Sequence, residues 1–124
     1  MENKLKALDI SCYKALTGFN CASNQLNTLN ISKNVELGAL YCYDNLLTEL
    51  DITTNRKLRS LFCSRNQIQG AAMAALIDNL PEVESGWISL CDHRESDEGN
   101  LYTSEQAMII KAKGWRIYDY PLEE

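Results

Sequence analysis

The same short pattern returns every 21 residues. Cys21, Cys42 and Cys63 stand 21 positions apart, and so do Leu16, Leu37 and Leu58, the series Phe19, Leu40 and Leu61, and Asn24, Asn45 and Asn66. Leu5, Leu8 and Ile10 recur as Leu26, Leu29 and Ile31 and again as Leu47, Leu50 and Ile52, and Asn3 falls in register with the asparagines. A unit this short cannot bury its own apolar groups, so successive coils must stack, each Leu and Cys on its counterpart in the next. Side chains alternate faces along a strand, which sends Phe19/Cys21, Leu40/Cys42 and Leu61/Cys63 to the core and their neighbours outward. The asparagines sit where the strand ends, and an amide there can both donate to and accept from backbone groups that would otherwise be buried unsatisfied. They read as a structural ladder, not as ligand contacts.

Written out, the three copies are Leu16-x-x-Phe19-x-Cys21-x-x-Asn24-x-Leu26, Leu37-x-x-Leu40-x-Cys42-x-x-Asn45-x-Leu47 and Leu58-x-x-Leu61-x-Cys63-x-x-Asn66-x-Ile68. Over residues 3–69 this resembles the leucine-rich repeat family, whose pattern L-x-x-L-x-L-x-x-N/C-x-L it matches with Cys in the central apolar place. Leu8-Asp9-Ile10-Ser11, Leu29-Asn30-Ile31-Ser32 and Leu50-Asp51-Ile52-Thr53 look like the short-repeat bacterial branch, whose members are often cell-surface proteins. The resemblance implies an α/β fold, a right-handed solenoid with a parallel sheet of about five strands on its concave side. It also implies non-catalytic binding of a protein partner through that face.

After Ile68 the period fails and a helical one begins. Met73, Leu76, Ile77 and Leu80 follow i, i+3, i+4, i+7 spacing, and Pro81 stops the helix. Trp87-Ile88-Ser89-Leu90-Cys91 reads as a strand, Thr103-x-x-Gln106 as a capping box opening a second helix, Gly114 as its C′ residue and Trp115 to Tyr118 as a final strand. Leu61 to Ile88 and Ile88 to Trp115 are both 27 residues, so residues 70–124 are expected to add two longer capping coils to the same sheet. The 124 residues then make a single domain.

Composition narrows the partners. Twelve Lys and Arg against 17 Asp and Glu disfavour a nucleic-acid ligand. The longest apolar run, Ala71 to Ile77, is too short to span a bilayer. Residues 1–69 hold eight basic and six acidic side chains, residues 70–124 four and eleven, with Asp92, Glu95, Asp97 and Glu98 in one loop. That loop reads as a solvated anionic surface lacking EF-hand spacing. Met1-Glu2-Asn3-Lys4 leads straight into the pattern, with no apolar signal region, so the chain is expected to be cytoplasmic if Met1 is its true start or else a mature piece of a longer precursor, for which the resemblance implies the cell surface or secretion.

No chemistry is expected. Cys21, Cys42 and Cys63 read as free, buried thiols, and the absence of C-x-x-C spacing leaves zinc without its usual ligands. Cys91-Asp92-His93-Arg94-Glu95 groups a thiol, the only His and two carboxylates, but neighbours at a strand end diverge. No phosphate loop or hydrolase motif occurs, so neither enzyme, cofactor nor metal is expected.

The outward positions carry the functional expectation. Asn20, Tyr41 and Phe62 should form one exposed column, Ala22, Tyr43 and Ser64 the next, and Arg116 and Tyr118 should extend the face. Tyr, Phe and Arg are enriched at interaction surfaces, although aromatics also simply favour strands. A protein partner, or a glycan stacked on the rings, is expected on Asn20, Tyr41, Tyr43, Phe62, Ser64, Arg116 and Tyr118. The alternative is a structural role, as a C-terminal fragment or spacer of a larger bacterial cell-surface protein. At the other end, Asn3 to Ile10 sits inside a repeat with no strand before it, so an open N-terminal edge and self-association through it are expected.

Overall fold

The computed structural model describes residues 4–92 and 98–119. Each 21-residue repeat contributes one very short strand: β1 (Gly18–Asn20), β2 (Ala39–Tyr41) and β3 (Ser60–Phe62). They pair in parallel, Phe19 beside Leu40 and Leu40 beside Leu61, the register that the period predicts. Then come α1 (Gly70–Asp78), β4 (Gly86–Ser89), α2 (Ser104–Ala112) and β5 (Trp115–Ile117), and all five strands form one parallel sheet in the order β1-β2-β3-β4-β5. The architecture is α/β as expected, with both helices in the second half.

Leu61 lies beside Ile88, as the 27-residue offset predicts. The next step departs from it: Ile88 pairs with Ile117, and Trp115 pairs with Gly86. The slip is two residues, so side chains keep their faces while every row moves. Size explains it. A Cβ on Gly86 would lie 2.8 Å from the Trp115 ring, so only glycine leaves room for the indole, whose Nε1–H donates to Pro81 O at 2.9 Å.

In α1, Met73, Leu76 and Ile77 are buried at the predicted spacing, while Leu80, also buried, lies just past the Asn79 C-cap. α2 opens on the predicted capping box: Thr103 Oγ1 accepts the Gln106 N–H, and Gln106 Oε1 accepts the Thr103 N–H. Gly114 follows α2 at φ +97, and a Cβ there would fall 1.7 Å from Val83 O. Lys113 Nζ donates to Ile77 O, Asp78 O and Leu80 O, gathering the carbonyls around the C-terminal end of α1.

The amide ladder is present. Asn45 Nδ2 donates to Cys21 O and Cys42 O while its Oδ1 accepts the Leu26 N–H. Asn66 does the same with Cys42 O, Cys63 O and the Leu47 N–H. Each amide therefore ties its own repeat to the one before. Asn100 continues the ladder outside the period, donating to Cys63 O and Leu90 O and accepting the Ile68 N–H. Asp119 closes it, with Oδ1 accepting from Leu90 and Cys91 N–H and Oδ2 receiving the Tyr102 hydroxyl. Asn34 and Asn55 form a second file elsewhere in the repeat, Asn34 donating to Ile10 O and Tyr13 O, Asn55 to Ile31 O and Asn34 O.

The acidic loop is only partly a solvated surface. Glu98 accepts the backbone N–H groups of Arg65, Asp92 and Asn100, and Asp92 is buried. Glu95 and Asp97 lie outside the described residues. Among the described residues, β1 has β2 on one side and no strand on the other.

Candidate functional site

The parallel register lays the outward side chains in rows across the sheet. One row runs Gly18, Ala39, Ser60, Trp87, Arg116. The next runs Asn20, Tyr41, Phe62, Ser89, and Tyr118 joins it from the residue after β5, its N–H donating to Ile88 O. The expected column of Asn20, Tyr41 and Phe62 is therefore real, and Arg116 and Tyr118 lie on the same face.

Within these rows the rings find one another. Tyr41 and Phe62 stack with centroids 5.3 Å apart at 27°. Trp87 and Tyr118 meet at 4.6 Å and 50°, and the Arg116 guanidinium lies 5.0 Å from the Trp87 ring. Both ring pairs are half-buried, Arg116 and Asn20 are exposed, and Tyr43 is 36% exposed. Between the two pairs lies Ser89, 1% exposed, its small side chain in the row of Phe62 and Tyr118. The result is a ridge of two aromatic pairs with a cation at one end, where Arg–aromatic contact adds about 0.5–1 kcal/mol in exposed settings.

Trp87 is a site residue that the sequence reading missed. Its signal was available: it stands 27 residues after Ser60, the offset that relates Ile88 to Leu61. Ser64 is a correction. Expected on the exposed face, it is only 7% accessible, and Cys91, two residues past Ser89 as Ser64 is past Phe62, is 2% accessible. Glu98 Oε1 binds the N–H of the residue after each of them, Arg65 and Asp92, at 2.7 and 2.6 Å, which brings residue 98 against this end of the row. No spacing rule could place a loop return of that kind. Ala22 and Tyr43 are left as the accessible part of the third row.

Four of the five cysteines, Cys21, Cys42, Cys63 and Cys91, are buried thiols. Burial pushes the Cys21 thiol up to about 11. It raises Cys42 and Cys63 further, reinforced at Cys42 by the neighbouring thiols and at Cys63 by Cys91, Glu98 and Asp119. Cys91 is pushed up to about 12 by burial and then by Glu98 and Asp119, and its Sγ donates to Asn100 O at 3.4 Å. A thiol held protonated attacks poorly. His93, Arg94 and Glu95 of the candidate catalytic run lie outside the described residues. Among the described residues no three His, Cys, Asp or Glu side chains gather as metal ligands would, and no helix is long and apolar enough to cross a membrane. No protein-family model matches the chain, and no curated protein matches it in sequence.

Proposed function

We propose that this chain is a leucine-rich repeat solenoid that binds a protein partner, without catalysis, through the concave face of its sheet. The register of the three repeats and the parallel order of the strands support the solenoid reading. The binding reading rests on one observation: Tyr41 and Phe62, and Trp87 and Tyr118, pack in pairs on the face away from the core, with Arg116 over Trp87. The core does not need them there. Rings already packed in pairs form a stiff apolar ridge that loses little freedom on binding, which suits a protein surface better than a sugar needing a free flat ring.

The test compares affinity capture of partners by the intact chain, a Tyr41→Ala/Phe62→Ala variant and a Thr28→Ala control, followed by titration with the captured protein. Aromatic anchors near an interface centre cost about 2 kcal/mol or more on truncation, roughly a thirtyfold loss. That loss is expected for the double variant and none for the control. Unchanged binding by the folded double variant defeats the proposal.

A further inference from the structure

The outer face of the sheet is uneven in relief. In its first row the side chains are small on β2 and β3, and Gly38, Ala39 and Ser60 line a cavity of about 690 Å³ together with Glu36, Lys57 and Arg59. Ser60 is followed across the sheet by Trp87 and then by Arg116, so the cavity, the indole and a guanidinium succeed one another over β3, β4 and β5. The stacked rings of Tyr41 and Phe62 stand in the next row.

Charge on this face is uneven as well. The carboxylates that border it are engaged: Glu36 Oε1 lies 2.7 Å from Lys57 Nζ, and Asp44 Oδ1 lies 3.5 Å from Arg65 Nη2. Glu98 accepts three backbone N–H groups, and Asp119 accepts two together with the Tyr102 hydroxyl. The cations are not all engaged. Among the described residues neither Arg59 nor Arg116 forms an ion pair, and both are exposed. Arg116 sits over the Trp87 ring at 5.0 Å, a contact that occupies the flat of the guanidinium and leaves its N–H edge for an acceptor. Arg59 stands on the other side of Trp87, whose N–H its carbonyl accepts, and two strand spacings, about 10 Å, separate it from Arg116. A chain with a net charge of −5 thus presents uncommitted positive charge on its aromatic face.

We infer, on the binding reading of this face, that the partner presents an acidic polypeptide segment, with an apolar side chain seated over Ala39 and Ser60 and carboxylates on Arg59 and Arg116. Guanidinium groups hold carboxylates through paired N–H bonds, and complementary charge at an interface selects the partner and speeds its arrival. A nucleic acid fits less well, since two cations release too few counterions to hold a polyanion against the net charge. A second copy offering the same face brings no free carboxylate among the described residues.

The probe is a labelled peptide of about twelve residues with Glu, Phe and Glu at alternate positions, compared with its counterpart carrying Gln for both Glu. In extended backbone these three side chains share one side and span about 13 Å, enough to reach both cations. Titrated into the full chain, the Glu peptide should bind saturably, about tenfold or more tighter than the Gln peptide, and weaken with added salt. Arg59→Gln/Arg116→Gln should remove that preference with the fold intact by circular dichroism. Lys33→Gln/Lys111→Gln, exposed cations in a repeat turn and in α2, should keep it. Tyr41→Ala/Phe62→Ala should weaken both peptides alike. Equal binding of the two peptides, or a preference that survives loss of both arginines, overturns the inference and leaves the binding reading standing if the ring variant loses both. Absence of binding by either peptide up to millimolar concentration also overturns it, whereas the binding reading falls only when a captured partner ignores the ring variant. A single-stranded oligonucleotide that displaces the Glu peptide at equal or lower concentration overturns it too, because the occupant is then a nucleic acid.

Discussion

The three regular repeats and the two longer units after them meet one demand by different means. Up to Ile68, a single amide per repeat, always in the same place, ties each strand end to the unit before it. Beyond Ile68 the spacing breaks, yet Asn100 reaches back to Cys63 O and Leu90 O much as Asn66 reaches Cys42 O and Cys63 O. Asp119 then serves two N–H groups with a carboxylate, and Lys113 and Trp115 take carbonyls that no asparagine reaches. What a parallel unit must supply is a partner for the buried N–H and C=O groups at its strand end, whereas the number of residues between is free.

The most demanding check of this comparison is to remove the amide on both sides of the break. Asn66→Ala takes the acceptor from the buried Leu47 N–H and one of two amide donors from Cys42 O and Cys63 O, and Asn100→Ala takes the acceptor from the Ile68 N–H and the amide donor from Leu90 O, so each should lower stability by about 2–3 kcal/mol in chemical denaturation. Equal costs would show that the ladder ignores the period. A loss below about 1 kcal/mol at Asn100 alone would break the equivalence.

A comparable effect separates the halves by their glycines. Gly114→Ala places a methyl group against Val83 O at a positive φ and should cost about 2–3 kcal/mol. Gly18→Ala meets nothing within 4 Å and should stay within about 0.5 kcal/mol. A thermal melt of the pair distinguishes a second half held by tight contacts from a first half held by repetition.

The mildest case concerns the thiols. Cys42→Ser puts a hydroxyl where no partner waits and should cost about 1–3 kcal/mol. In the native protein at pH 8, exposed Cys12 should be the one fast-reacting thiol, because burial raises the pKa of Cys21, Cys42, Cys63 and Cys91 and keeps them protonated. All five should react once denatured. A second fast thiol in the native state would mean that a row assigned to the core is open.

What could be read beforehand divides along the same break. Where one unit is a translated copy of another, spacing reports register, and Phe19, Leu40 and Leu61 could be aligned on paper before any pairing was known. Local signals also held: the Thr103–Gln106 box and the Met73–Ile77 stripe depend on neighbours three or four residues away. Once the connections contain helices and loops of unequal length, an offset no longer fixes a partner. Trp115 therefore fell two places from its expected row, decided by the room above Gly86. Ser64 could not be placed either, since the chain returns to its neighbour Arg65 only at Glu98, 34 residues beyond Ser64. Asn34 and Asn55 were legible as a 21-residue pair but not interpretable, because nothing in the spacing says that a turn there is buried.

The sheet order β1-β2-β3-β4-β5 also gives the molecule a direction in time. Each strand is bonded only to its sequential neighbours, so an inner strand cannot come free before the strand outside it. At one end that outer strand is backed by Trp115 and Ile110, both sealed; at the other it is backed by Phe19 and Leu16, both partly wet. Fluctuations should therefore unzip from β1 inward, and amide exchange should slow step by step from β1 through β2 to β3. The first repeat then behaves as a latch that opens and recloses on a sheet that stays assembled behind it.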